Sequence, residues 1–226
     1  MLKEKVMKLE KMGAFFETRL GGYEEHMLTD IESAGEFYPF TASCLPDMPG
    51  ANILDLGCGT GLEMDWYFRN NPSAKVTGID LSKGMLATFK GKYADKDLNL
   101  ICASYFDVPF GENIFDAAVS VQSLHHFTME ENVPLYTKLR KALKPDGFFI
   151  LTDYFSLSDK EEKEHRVQLL RLKAEQKISD NEFYHYDTPL TVEHECEALR
   201  KAGFTSVEVL KNWGATYTLK ATVEEV

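Results

Sequence analysis

The amino-acid sequence predicts an α/β protein with a doubly wound, mostly parallel sheet that helices cover on both faces. Two observations carry this prediction. Between residues 51 and 155, short apolar runs alternate with helical patterns, and apolar strands separated by helices are typical of parallel sheets. In addition, the glycine-rich stretch GCGTG directly follows the first apolar run. In such sheets a ligand binds at the carboxyl end of a strand, next to a change in strand order.

Residues 1–48 are expected to form an N-terminal helical cap. Apolar residues recur at helical spacing over residues 2–9 and 27–34, which predicts two helical stripes. The aromatic stretch FFETRLGGYEEHM lies between them and is interrupted at residues 21–22 by two glycines. The stretch PDMPG, at 46–50, then indicates a turn or linker.

Residues 50–155 are expected to form the α/β core. Its predicted strands, in chain order, are NILDL, AKVTGID, LNLIC, FDAAVSVQ and GFFILTDYF. Its predicted helices are LEMDWYFRNN, SKGMLATFKGKY, which Ser82 can cap, and a third over about residues 130–143. The sequence KPDG predicts a turn between that third helix and the fifth strand.

The rest of the chain is divided into two further units. Residues 156–190 contain a helical stripe followed by the aromatic stretch NEFYHYDTP, and this predicts a helical and aromatic lid over the strand ends. Residues 191–226 contain the helix TVEHECEALRKAG and two alternating strands, which complete the core as a β-hairpin.

Composition excludes several classes of function. The formal net charge of −11 repels nucleic-acid phosphates and anionic lipid, so neither partner is expected. The four scattered cysteines form no CxxC pair and the six histidines no HExxH motif, so we expect no metal. No signal pattern or apolar run of membrane-spanning length is present, which favours a cytoplasmic protein, either a monomer or a homodimer.

The glycine stretch and one acidic residue carry the predicted chemistry. Gly57 permits a tight turn, Gly59 leaves space for a ligand, and Gly61 lets helix and strand pack closely. The next helix would offer unpaired N–H groups to a negative group. Asp80 ends the second strand about 20 residues after the loop, where a carboxylate suits the hydroxyls of a ribose. The alternative, a glycine turn for packing alone, is less favoured because Asp80 stands at the expected distance.

These motifs resemble the class I S-adenosylmethionine-dependent methyltransferases. ILDLGCGTG is similar to their first motif, VTGIDLS to their second and LICASYFDVPF to their third, while FDAAVSVQSLHHF and LKPDGFFILTDYF resemble the fourth and the strand after it. The resemblance implies a Rossmann-like, seven-stranded sheet with an antiparallel last strand. It also implies S-adenosyl-L-methionine as cofactor, S-adenosyl-L-homocysteine as product and a small-molecule methyl acceptor.

The resemblance also implies which residues hold the cofactor. The glycine loop with Asp55 would bind the methionyl end, Asp80 the ribose and Leu81 the adenine, while Gln122 would reach the methionyl group. Ser104 stands where the family often has an acidic residue. Tyr23 would close over the cofactor as an aromatic lid, and an aromatic face suits a sulfonium cation. The complete set of candidates is Tyr23, Asp55, Gly57, Cys58, Gly59, Gly61, Asp80, Leu81, Met85, Ser104, Tyr105 and Gln122.

A general base is needed only if the nucleophile is protonated, and its candidates are His126, His26 and Asp153. His125 and His126 are adjacent and cannot both face the cofactor; satisfied, non-catalytic histidines are the alternative. Two rival functions stay open. A carboxy-S-adenosylmethionine synthase is disfavoured because the lid stretch NEFYHYDTPLT contains no arginine, and the other rival is a non-catalytic sensor of the cofactor.

Overall fold

The computed structural model describes residues 7–179 and 181–223, and a seven-stranded sheet forms its centre. In chain order the strands are β1 (Asn52–Leu56), β2 (Lys75–Asp80), β3 (Asp97–Cys102), β4 (Phe115–Val121), β5 (Leu143–Tyr154), β6 (Ser206–Trp213) and β7 (Thr216–Thr222). Their order across the sheet is β3-β2-β1-β4-β5-β7-β6. β1 to β5 are parallel, and β7 runs antiparallel to both β5 and β6. The predicted doubly wound sheet with an antiparallel last strand is confirmed.

Helices precede the sheet and connect its strands. They are α1 (Met12–Arg19), α2 (Tyr23–Thr29), α3 (Ala34–Ser43), α4 (Met64–Asn70), α5 (Lys83–Lys92), α6 (Met129–Ala142), α7 (Asp159–Glu175) and α8 (Val192–Lys201). Residues 20–22 and 124–126 form short 3₁₀ turns. Ser82 accepts a hydrogen bond from the Met85 N–H and caps α5, as its sequence indicated.

The strand order reverses next to β1, and this reversal positions the site. β1 pairs with β2 on one side and with β4 on the other. Its side chains Ile53, Leu54 and Leu56 are completely buried, as expected for a central strand covered on both faces. The carboxyl ends of β1, β2 and β4 therefore meet at one crevice, where doubly wound sheets bind their ligands.

Two segments outside the sheet are joined by backbone hydrogen bonds. The first, which we call the N-terminal segment, comprises residues 7–29. The second, which we call the lid loop, comprises residues 176–190 apart from residue 180. The Met12 N–H donates to the Phe183 carbonyl (3.0 Å) and the His185 N–H to the Glu10 carbonyl (2.9 Å). The two segments predicted to lie over the strand ends are thus in contact with each other.

Three element predictions are wrong in detail. KPDG lies inside β5, since Leu143 already pairs with Phe115 and the register shifts only afterwards. α4 begins three residues after Gly61, because residues 62 and 63 are still in a turn. The helical stripe predicted over residues 27–34 is interrupted where Ser33 adopts a left-handed φ of 62°. Of the other predicted stripe, at residues 2–9, the first five residues lie outside the described part of the chain.

Within residues 7–179 and 181–223, no helix is both long enough and apolar enough to span a membrane.

Candidate functional site

The loop between β1 and α4 is shaped by three glycines in the left-handed region. Gly57, Gly59 and Gly61 have φ angles of 71°, 50° and 72°. The Gly57 and Cys58 N–H groups both donate to the Ile79 carbonyl, at 2.9 and 3.2 Å. The loop therefore turns tightly against the end of β2, in a conformation that other residues adopt only with strain.

A side chain would have different consequences at each glycine. A Cβ at Gly57 would lie 2.0 Å from Ser123 Oγ, and one at Gly61 would lie within 3.0 Å of the Phe89 ring. These two glycines therefore permit close packing. A Cβ at Gly59 would have the Tyr23 hydroxyl as its nearest neighbour, at 3.5 Å. A side chain at Gly59 would therefore contact Tyr23 of the N-terminal segment without clashing, and the φ of 50° is the main constraint at this position.

Asp80 ties this loop to the start of α5. Its Oδ2 accepts a hydrogen bond from the Gly59 N–H (3.0 Å), and its Oδ1 accepts one from the Ser82 N–H (2.8 Å). Burial raises the pKa of Asp80, although these backbone donors counteract that effect. Each carboxylate oxygen retains acceptor capacity beyond its backbone bond, so two further hydroxyl donors can be accommodated.

Asp55 is paired with a residue that the sequence did not single out. The Asp55 and Glu63 carboxyl groups share a hydrogen bond and are 1% and 4% exposed. Burial, followed by the charge of Glu63, raises the pKa of Asp55 well above its usual range. Asp55 Oδ2 and Glu63 Oε1 are buried with no hydrogen-bond partner among the described residues. A buried pair that shares one proton retains one negative charge, which a ligand cation could balance.

A cavity of about 40 Å³ lies where β1, β2 and β4 end. Its lining consists of Met12, Phe16, Gly57, Asp80, Leu81, Ser104, Tyr105, Phe106, Ser123, Phe127 and Phe183. Five of the twelve predicted cofactor residues are in this lining; the other seven, Tyr23, Asp55, Cys58, Gly59, Gly61, Met85 and Gln122, are not. Cys58 and Met85 are buried, at 3% and 1% exposure. Small-molecule sites typically have volumes of about 300–1,000 Å³, so the aromatic side chains from the N-terminal segment and the lid loop must move before a nucleoside can enter.

Tyr23 lies against the glycine loop, and Gln122 follows the neighbouring strand β4. Tyr23 begins α2, its hydroxyl points toward Gly59, and burial raises its pKa. Gln122 follows β4 with a φ of 52°, a conformation that costs energy in a residue other than glycine. The Gln122 Nε2 is buried and has no partner in the part of the chain that the structure describes. A strained residue with an unused donor, at the carboxyl end of a central strand, is a feature of a ligand site.

His125 is held by Asp153 in the next strand. Its Nδ1 lies 2.6 Å from Asp153 Oδ1, while Asp153 Oδ2 accepts the backbone N–H groups of residues 123, 124 and 125. Burial alone would lower the pKa of His125, but the Asp153 and Asp187 carboxylates outweigh it and raise that pKa to about 10. Asp153 is only 1% exposed, and its hydrogen bonds fix the 3₁₀ turn that carries both histidines.

His126 faces the lid loop. Its Nδ1 lies 3.1 Å from Asp187 Oδ1, and its ring centroid lies 4.9 Å from His185 and 6.4 Å from Phe16. Burial, reinforced by His125, lowers the pKa of His126, so its imidazole is neutral at pH 7. The sequence marked Asp187 only as a lid residue, because no local pattern shows that it contacts residues 125 and 126.

The third candidate base is in a different setting. His26 Nδ1 contacts Asp30 Oδ2 at 2.8 Å, one turn further along α2, and its side chain is 58% exposed. It shares no described contact with His126 or with the cavity lining. The structure therefore brings together the glycine loop, Asp80, Gln122 and the His125–His126 pair, but it leaves His26 outside this group.

Comparison with known proteins identifies the central region. Residues 54–151 match the methyltransferase domain family. Cycloartenol-C-24-methyltransferase of Arabidopsis thaliana is 31% identical over 185 residues, which are 76% of this chain and 50% of that protein. Sterol 24-C-methyltransferase ERG6B of Gibberella zeae is 29% identical over 131 residues, 54% of this chain and 33% of that protein. The chain thus spans between a third and a half of the length of these relatives.

Solved structures share the fold. The cyclopropane synthase MmaA2 of Mycobacterium tuberculosis superposes with a TM-score of 0.61 at 23% identity, covering 82% of this chain and 66% of that one. At such low identity the superposition supports a common fold and nothing more.

Proposed function

We propose that this chain, which belongs to the class I S-adenosylmethionine-dependent methyltransferase family, transfers a methyl group to an oxygen, nitrogen or sulfur atom of a small molecule. The bound cofactor would supply the methyl group on an electrophilic sulfonium. The protein's own task would be to bind, to align the acceptor and to exclude water, and alignment alone supplies effective molarities of about 10⁵ M or more.

One observation carries this proposal. Three glycines with left-handed φ turn at the carboxyl end of β1, and Asp80 binds the middle glycine's N–H while keeping acceptor capacity. A turn needed for packing alone would account for Gly57 and Gly61, where a side chain would clash, but it would not account for a third glycine at position 59, where a Cβ would make only ordinary contact with Tyr23, or for the remaining acceptor capacity of Asp80. A ligand that approaches the backbone at Gly59 and offers two hydroxyls to Asp80 accounts for both.

The remaining polar atoms fit the two ends of the cofactor. Asp80 would accept hydrogen bonds from the ribose hydroxyls, with Leu81, Ser104 and Tyr105 around the adenine. The Asp55–Glu63 pair would stabilise the methionyl ammonium, because two buried carboxyl groups that share one proton retain one negative charge. Gln122 would donate its free amide N–H group to the methionyl carboxylate. Cys58 and Met85 would support the loop and α5 by packing.

Among the three candidate bases, the geometry favours His126. It is neutral at pH 7 and lies beside Phe16, which lines the cavity, so it can accept a proton from a hydroxyl, amine or thiol. Asp153 already accepts four hydrogen bonds from backbone N–H groups and one contact from His125, which suits a positioning role. The exposed His26 is the weakest candidate.

The acceptor is proposed to be a small molecule and not a nucleic acid. The formal net charge of −11 disfavours a phosphate backbone. The similar proteins include sterol methyltransferases and also a tRNA methyltransferase, so the charge carries this choice. Phe16, Phe106, Phe127 and Phe183 give the cavity an apolar lining. Three expectations stay predictions. They are the division of the chain into units at residues 48, 155 and 190, the cytoplasmic location, and the monomeric or homodimeric state.

The decisive experiment identifies the ligand and the reaction together. Mass spectrometry of small molecules released from freshly purified protein should recover S-adenosylmethionine or S-adenosylhomocysteine. Incubation with S-adenosylmethionine and a metabolite extract should then produce S-adenosylhomocysteine above a boiled control. Recovery of the carboxylated cofactor as the main species would support the synthase alternative. Binding of the cofactor without turnover in any extract would support a sensor.

A further inference from the structure

We infer that His125, His126 and Asp187 form a binding site for a divalent transition-metal ion between the core and the lid loop. The three potential ligand atoms lie within 4.8 Å of one another. This departs from the sequence-based expectation of no metal, which rested on the missing spacing motifs. Adjacent histidines and a carboxylate about 60 residues later match none of the short zinc-binding spacings.

The distances among the three side chains are compatible with a shared metal ion. Asp187 Oδ1 lies 3.1 Å from His126 Nδ1 and 3.6 Å from His125 Nε2. The shorter separation is within the range of a hydrogen bond and the longer one exceeds it. Ligands bound at about 2.0–2.1 Å around a tetrahedral ion lie roughly 3.4 Å from each other. The two contacts fall on either side of that value.

Burial makes these polar groups costly unless they are well paired, and a cation would join all three. The side chains of His125 and His126 are only 8% and 3% exposed, and a buried polar atom without a partner costs about 1–3 kcal/mol. The Asp187 side chain is 41% exposed although its Oδ1 is buried. The site is therefore closed on the histidine side and open to solvent on the carboxylate side, and a metal needs such an entry path.

The surrounding groups orient the ligands as they do in known metal centres. Asp153 Oδ1 lies 2.6 Å from His125 Nδ1, which directs the opposite nitrogen, Nε2, toward Asp187. A carboxylate behind a metal-bound histidine is the usual arrangement. Tyr154 also hydrogen-bonds to the Asp187 side chain. The contacts of Asp153 with His125 and of Tyr154 with Asp187 would thus hold two of the three ligands in place.

The ligand set indicates the class of metal. Two imidazoles and one carboxylate bind zinc, iron(II), cobalt(II) or manganese(II) and leave coordination positions open. This inference rests on the proposed methyl transfer: with metal bound, the ion would replace His126 as the activating group, because a metal-bound neutral imidazole has no free lone pair for a proton. The site would then favour acceptors that carry an oxygen ligand such as a hydroxyl or carboxylate. Because Asp187 belongs to the lid loop and the histidines to the core, the ion would also hold the lid loop closed.

Cobalt(II) is the probe for this site, because its visible absorption reports nitrogen and oxygen ligands directly. When metal-free protein is titrated with cobalt(II), the absorption should saturate at one equivalent of cobalt per protein chain, and zinc should displace the cobalt. His126→Ala and Asp187→Asn should each weaken binding at least about 100-fold. The control is His194→Ala, which removes a histidine that lies near Glu162 and Asp159 and should bind cobalt like the parent protein.

Binding of S-adenosylhomocysteine, measured by calorimetry on the same proteins, separates this inference from the proposed function. All variants should bind it within about threefold of the parent protein, which also shows that they are folded. Hydrogen exchange in the lid loop should slow when cobalt or zinc is added to the parent protein. Lack of a cobalt spectrum up to millimolar concentration, or equal binding by the variants, would overturn the metal site while leaving the cofactor site intact.

Discussion

Replacement of Asp80 by alanine tests the cofactor site at its best-defined position. Both Asp80 oxygens already accept a backbone hydrogen bond, at 3.0 and 2.8 Å, and each has capacity for one ribose hydroxyl. Loss of these hydroxyl bonds should cost about 2–3 kcal/mol of cofactor affinity, since hydrogen bonds to charged groups contribute about 1.5–3 kcal/mol each and are not fully additive. The dissociation constant should therefore rise about 30- to 150-fold.

Isothermal calorimetry with S-adenosylhomocysteine measures this change, and thermal denaturation reports the fold. The matched control is Asp95→Ala, which removes the same charge at a side chain that is 77% exposed and contacts Lys96. The control should bind like the parent protein. Asp80→Asn provides a second variant of equal volume, with one oxygen retained. A folded Asp80→Ala protein with unchanged affinity would remove Asp80 from the site and refute the reasoning.

Three further predictions concern the loop, a buried carboxyl group and the lid. Gly59→Val should abolish S-adenosylhomocysteine binding, because φ is 50° and the side chain would fill the space toward Tyr23; cofactor at this loop in a crystal of the variant would contradict this. Burial raises the pKa of Glu195, the partner of Tyr136, to about 8, so the folded state holds the proton more tightly. The free energy of unfolding should then fall by on the order of 3–5 kcal/mol as the pH rises from about 4.5 to 8, and Glu195→Gln should flatten this slope. Finally, the N-terminal segment and the lid loop should gain hydrogen-exchange protection when S-adenosylhomocysteine binds; equal protection in both states would make them fixed packing.

The sheet was predictable because its signals are local. Apolar runs, glycines and caps identify strand and helix positions from neighbouring residues alone, as at NILDL and at Ser82. The turn predicted at KPDG is wrong because strand pairing overrides the turn propensity of these residues. Leu143 pairs with Phe115, and Lys144 Nζ contacts Asp116 at 2.6 Å. Those contacts join residues about 28 positions apart, beyond the reach of a turn pattern.

Only the part of the candidate site that follows from a sequence motif was predictable. The glycine loop and Asp80 follow from a motif and a spacing, and the structure places them in contact. Glu63 was missed because only burial beside Asp55 distinguishes it from a solvent-exposed helix residue. Asp187 was recognised as a lid residue without a partner, since its contact with His126 depends on how the lid loop folds back over the sheet.

The central claim is that the glycine loop and Asp80 bind S-adenosylmethionine, and a crystal structure with S-adenosylhomocysteine tests it most directly. We expect the ribose hydroxyls within hydrogen-bond distance of Asp80 and the methionyl chain along Gly59. We also expect Tyr23 over the ligand and a cavity several times larger than 40 Å³. Ligand density elsewhere, or a saturated crystal with nothing bound at this loop, would contradict the claim.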